Sequence, residues 1–178
     1  MINEYGNYIS DGPDYKYEDG IMNYDLFKNE KIKILWILRE THGKFNPKKW
    51  WGDKDYLEKK IEPFDSKDKK GSKKDTWKPI ARICYKILNN KETKNEYELA
   101  STLERIAFIN LKKTSGRSKI TKKFTEALKN QENRDIFITQ IKRIKPDVII
   151  CGNTLNKIKT SEINFREVKG IPFSSKAM

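Results

Sequence analysis

Three short apolar runs, each broken off by polar side chains and a turn, predict an α/β fold. The expected architecture is a three-layer sandwich with a central, mostly parallel four-stranded sheet flanked by helices. The runs are Ile32–Leu38, which leads into Arg39-Glu40-Thr41-His42-Gly43; Ile106–Leu111, which leads into Lys112-Lys113-Thr114-Ser115-Gly116-Arg117; and Val148–Cys151, which leads into Gly152-Asn153-Thr154. Each is too short for a helix, and an apolar run bounded by turn signals reads as a strand buried on both faces. Strands of that kind belong to parallel sheets covered by helices. Helical patterns between the runs supply the crossovers, and a fourth strand is expected near 164–169. In such sheets ligands bind outside the carboxyl ends of the strands. That rule turns Glu40, His42, Asn110, Lys112, Lys113, Arg117, Gly152 and Asn153 into candidate site residues.

A chain of 178 residues is long enough for one domain with a real core. Its 36% hydrophobic and 35% charged residues are accounted for by lysine-rich connections, since the strand runs themselves are apolar. No run approaches the roughly 20 apolar residues of a membrane span, and the first residues lack the pattern of a signal peptide. Cys84 and Cys151 lie far apart in apolar runs, which fits free thiols in a reducing cytoplasm better than a disulfide. With two cysteines and one histidine there is no ligand set for structural zinc or an iron–sulfur cluster, and no metal or cofactor is expected.

The net charge of +13 is unevenly spread. Residues 1–30 hold seven acidic and two basic residues, a balance of −5, so the other 148 carry +18. A basic body favours a polyanionic partner, nucleic acid before an anionic membrane surface. The competing reading is a lysine-rich surface that only solvates the fold.

In chain order, residues 1–30 read as an acidic, tyrosine-rich, irregular N-terminal arm with turns at Asp11-Gly12-Pro13-Asp14 and Asp19-Gly20, closing in a helical turn over 24–29. Residues 31–178 form the single α/β domain. Between His42 and Lys78, Trp50 and Trp51 sit among Lys48, Lys49 and Lys54. Rings interleaved with cations suit unpaired bases held on a phosphate backbone, while indoles covering a sheet edge would give the same pattern. Residues 65–75 contain no apolar side chain and are expected to form a mobile loop. Trp77, Ile80, Ala81, Cys84, Ile87 and Leu88 then recur at helical spacing, with Thr76 as the expected N-cap, which makes Cys84 a core residue. Helices are expected over 95–104, 121–130 and 133–145, the last ending at Pro146 before the third strand, and a short one after Asn153.

These blocks resemble the uracil-DNA glycosylase superfamily. Arg105–Arg117 is similar to its second-strand block, an apolar strand ending in Asn, Lys and a turn with Arg. Ile136–Thr154, with Gln140-Ile141, Pro146 and Val148-Ile149-Ile150-Cys151-Gly152, resembles the helix and strand that follow. Ile34–Gly43 resembles the first-strand block that opens the catalytic loop. The resemblance covers roughly two-thirds of the chain. It implies a monomeric, cytoplasmic protein that binds DNA, needs no cofactor, and hydrolyses the N-glycosidic bond of a flipped base. On that reading Glu40 orients water or stabilises positive charge, Asn110 reads a base edge, and His42 polarises a base carbonyl or donates to phosphate. Lys112, Lys113 and Arg117 contact phosphate, and Gly152-Asn153 cradles one through backbone N–H groups. The plainer readings are an ion-paired Glu40, an Asn110 that caps its turn and a bystander His42.

Arg39 stands where the family has glycine, His42 where it has proline or its neighbour, and the family's closing His-Pro-Ser loop has no counterpart, since His42 is the only histidine. The chain therefore reads either as ending short of that loop or as a member with another task, with excision expected to be low or absent. A non-catalytic nucleic-acid-binding module of the same fold is the first alternative. A nucleotide- or small-phosphate-binding α/β protein is the second, and the lack of a Gly-rich dinucleotide turn or a P-loop weighs against it.

Overall fold

In the computed structural model, residues 1–12, 15–39, 72–113 and 122–159 are described. Five strands occur among them, β1 (Tyr8–Gly12), β2 (Tyr15–Ile21), β3 (Ile34–Leu38), β4 (Ala107–Asn110) and β5 (Val148–Cys151). They form one sheet in the order β1-β2-β4-β3-β5. The three expected strands are present, and β4-β3-β5 is parallel, with Leu35 opposite Ala107 on one side and Ile149 on the other. The expectation of a four-stranded, mostly parallel sheet is corrected at the N-terminus, because β2 joins β4 antiparallel and β1 joins β2 antiparallel. The fourth strand expected near 164–169 lies outside the described residues.

Both faces of the parallel strands are covered, which is why their sequences are apolar without a break. Leu35, Ile37, Ala107, Ile109 and Leu111 form one core with Phe124 and Leu128 of α4 (Lys122–Lys129), Phe137, Ile141 and Ile144 of α5 (Gln131–Ile144), and Ile158 of α6 (Leu155–Lys159). Ile34, Trp36, Ile106 and Phe108 form the opposite core with α2 (Ser72–Asn89) and α3 (Glu96–Thr102). The connection from β3 to β4 steps one way along the sheet and that from β4 to β5 steps back past β3, and parallel connections share one hand. The two helix sets must then lie on opposite faces, as they do.

The helix ends follow local chemistry. Asn23, Asn95 and Asn130 each accept backbone N–H groups at the starts of α1 (Tyr24–Asn29), α3 and α5. Lys145 takes the left-handed conformation, φ 50°, and closes α5 ahead of Pro146. α2 begins earlier than its apolar spacing implies. Thr76 therefore lies within the helix instead of capping it, and residues 72–75 of the expected loop are helical. Residues 65–71 of that loop lie outside the described residues.

The irregular arm expected over residues 1–30 is instead a hairpin built into the sheet. Its turn signal falls between β1 and β2, and β2 reaches the core through Ile21. Two glycines let it close. Gly20 has φ +133°, and a Cβ there would lie 2.3 Å from Asn7 Oδ1, the atom that accepts the Ile21 N–H at 2.7 Å. Gly6, at φ +88°, presses against Ile144 of α5 in the same way.

Gly20→Ala should therefore lower unfolding stability by about 2 kcal/mol or more, since backbone strain and a steric clash act together. Urea denaturation followed by far-ultraviolet circular dichroism checks this. An unchanged midpoint would contradict the packing described here.

Candidate functional site

The three parallel strands run out at one edge of the sheet. Leu38 lies opposite Asn110 in β4, and Ile37 lies opposite Cys151 in β5. The chains stay laced beyond the strands. Leu111 N–H donates to Leu38 O at 2.9 Å and Lys112 N–H to Arg39 O at 3.1 Å. On the other side Gly152 N–H donates to Ile37 O at 2.9 Å, and the Thr154 hydroxyl donates to the same oxygen at 3.0 Å. A Cβ on Gly152 would lie 3.0 Å from the Leu38 side chain, so glycine permits this close approach. Asn153 then turns the chain with φ 57°, its residue exposed. Arg39, Asn110, Lys112, Gly152 and Asn153 thus belong to one edge.

Behind that edge lies a buried polar cluster centred on Asp19. This residue is fully buried, on the same side of β2 as Ile21. Its Oδ2 accepts the Asn110 backbone N–H at 2.7 Å and the Lys113 ammonium at 2.9 Å. Its Oδ1 accepts Gln140 Nε2 at 2.9 Å and a second contact from Lys113 at 3.3 Å. Gln140 Nε2 also donates to Gly6 O at 3.0 Å, and the Lys113 ammonium lies 5.6 Å from the centre of the Tyr8 ring. The β2–β4 ladder pairs Gly20 with Phe108, and the Asp19 carboxylate continues its bonding to the next free donor of β4. Asn133 of α5 does the same further along the chain. Its amide donates to Leu111 O at 2.7 Å and accepts Lys113 N–H at 3.3 Å, so it pairs with β4's continuation as a peptide group would.

Burial draws the Lys113 ammonium below the usual lysine range, and the Asp19 carboxylate opposes that pull. Lys113 was expected at a phosphate; its ammonium is engaged with Asp19 inside the fold, and the residue is 5% exposed. Asn110 and Lys112 are also buried, at 2% and 8% exposure. Glu40, His42, Trp50, Trp51 and Arg117 lie outside the described residues. Among the described residues no group of three or more His, Cys, Asp or Glu side chains could hold a metal ion. None of the helices described is long and apolar enough to cross a membrane.

Neither cysteine is placed for nucleophilic work. Cys84 is buried, burial pushes its thiol up to about 12, and its Sγ accepts Trp36 Nε1–H at 2.9 Å. Burial also raises Cys151, with Thr154 opposing the rise.

The sequence reading missed Asp19 and Asn133 as site-building residues, and gave Gln140 no role of its own. Gln140 carried a visible signal, a polar residue on the stripe of Phe137, Ile141 and Ile144. Asp19 carried a misleading one, since Asp-Gly reads as an exposed turn. No protein-family model, characterised protein or solved structure matches the chain.

Two outcomes follow from this geometry. Asp19→Ala strands a buried ammonium and should cost about 3–5 kcal/mol, whereas Asp19→Ala with Lys113→Met should recover a large part of that loss. Chemical denaturation of both variants tests the pair, and equal stabilities would contradict it. Native Cys84 should resist maleimide at pH 8, where a thiol titrating at about 12 is almost wholly protonated, and should react once urea unfolds the chain. Peptide mapping of the label reads this directly, and prompt native labelling of Cys84 would contradict the burial.

Proposed function

We propose that the chain is a uracil-DNA glycosylase-like, nucleic-acid-binding protein that takes an unstacked base at the carboxyl edge of β3, β4 and β5. The observation that carries this reading is the shared register of Leu38 with Asn110 and of Ile37 with Cys151, which brings Arg39, Asn110 and Gly152-Asn153 to one edge. Parallel strands side by side lie about 4.8 Å apart, a span that a single nucleotide bridges. The charge of the body, +18 outside residues 1–30, supplies the attraction for a phosphate backbone.

In this reading the Asn110 carboxamide recognises a base edge, because it offers a donor and an acceptor together. Arg39 and Lys112 provide positive charge near the sugar–phosphate chain, and Gly152-Asn153 offers backbone N–H groups. Lys113 acts indirectly, by holding the β4 end against Asp19. Glu40 supplies the carboxylate that any excision step needs, to orient water or to stabilise an oxocarbenium-like centre. Binding is the part of the function that the placed residues support best.

Fluorescence anisotropy with single- and double-stranded oligonucleotides over a salt series tests the proposal. Wild-type affinity should fall steeply with salt, and Asn110→Ala should erase preference among bases while leaving most of the salt-dependent affinity. Glu40→Gln should leave binding unchanged and remove any base release. Salt-insensitive binding, or an Asn110→Ala variant with intact base preference, would overturn the assignment.

A further inference from the structure

A second surface lies away from that edge, where α2 meets the loop that leads into α3. Arg82, Ile83 and Lys86 of α2, Glu92, Thr93 and Lys94 of the loop, and Leu99 of α3 line a groove of about 440 Å³. It sits towards the amino end of β4, because Asn89 at the end of α2 accepts a hydrogen bond from Arg105 just ahead of that strand. Arg82, Lys86 and Lys94 are exposed, and so is Ile83, at 36%. Positions 82, 83 and 86 fall on one face of a helix, so a cationic rim borders the exposed Ile83.

The groove already receives a carboxylate. Glu92 Oε1 lies 2.7 Å from Lys86 Nζ, with both side chains more than half exposed, and each partner stabilises the charged form of the other. Glu92 thereby shows what the rim accepts. Three cations against one carboxylate leave the rim with a net charge of +2. Among the described residues no aromatic ring lines the groove, and an aromatic ring is what suits an unpaired base for stacking. Long cationic side chains beside the exposed Ile83, with Leu99 buried beneath, suit an apolar side chain flanked by carboxylates.

We infer that the α2–α3 groove is a docking site for an acidic segment of another protein, one that seats an apolar side chain against Ile83 and sets carboxylates on Arg82, Lys86 and Lys94. Glu92 competes with the incoming carboxylate for Lys86 and so limits the affinity. The site is separate from the strand edge and does not depend on nucleic-acid binding there.

The test uses the whole chain and a fluorescein-labelled peptide in which leucine is flanked by glutamates, with an all-glutamate peptide and a single-stranded oligonucleotide as comparisons. The leucine-containing peptide should bind in a salt-sensitive way and more tightly than the all-glutamate one. Arg82→Glu with Lys94→Glu should weaken it at least about tenfold, and Ile83→Asp should weaken it similarly. Glu92→Gln should tighten it about two- to fourfold by releasing Lys86. All four positions are exposed, and circular dichroism of each variant verifies that it is folded. Absent binding, equal binding of the two peptides, displacement by the oligonucleotide at matched charge, or a Glu92→Gln variant with weakened binding would each overturn the inference.

Discussion

The buried pair between Asp19 and Lys113 is the constraint on which the rest of this structure depends. Two charges at 0% and 4% side-chain exposure are costly to desolvate, and such a pair holds only when the remaining lone pairs and protons are satisfied. Here the Asn110 N–H and the Gln140 amide complete the carboxylate's contacts. The pair therefore joins three separate parts of the chain, the N-terminal hairpin, the end of β4 and helix α5. Its contribution is better read as specificity of arrangement than as net stability, since apolar side chains could fill the same space. With the pair in place, β2 has one register against β4, and the end of β4 has one position.

That arrangement explains how an antiparallel hairpin can border a parallel sheet without disturbing its working edge. The β2–β4 pairing begins only at Gly20, opposite Phe108, and the part of β2 before it does not follow β4 towards Asn110. The Asp19 side chain and the Asn133 amide take over as hydrogen-bonding partners, one for Asn110 and the other for Leu111 and Lys113. Backbone groups that would be orphaned in the interior are thus satisfied by side chains. The β4 end is held by the hairpin and by α5, while Arg39 and Gly152-Asn153 belong to the neighbouring strand ends.

The parallel core was legible in the sequence because its signal is local. Uninterrupted apolar runs such as Ile34–Ile37 and Ile106–Ile109 admit only strands covered on both faces, and the stripe through Ile80, Ala81 and Cys84 admits only a packed helix. The hairpin was not legible, for a reason specific to Asp19. Along β2 the inward positions include Asp19 and Ile21, so a carboxylate stands where alternation calls for an apolar residue. Its partner Lys113 lies 94 residues away, and nothing in either local sequence announces the other. The same distance effect turned Lys113 from an apparent surface cation into an interior one. Asn110 was singled out correctly as the residue at the strand end, but its near-complete burial and the bond from its own N–H to Asp19 come from tertiary packing alone.

Hydrogen–deuterium exchange with and without a bound single-stranded oligonucleotide tests most directly whether the carboxyl edge of β3, β4 and β5 receives the nucleic acid. Protection on binding should appear at Arg39, at Asn110–Lys112 and at Gly152-Asn153, with residues 82–99 around the α2–α3 groove unaffected. Protection confined to that groove, or spread over the hairpin and α5 with none at the strand ends, would contradict the account.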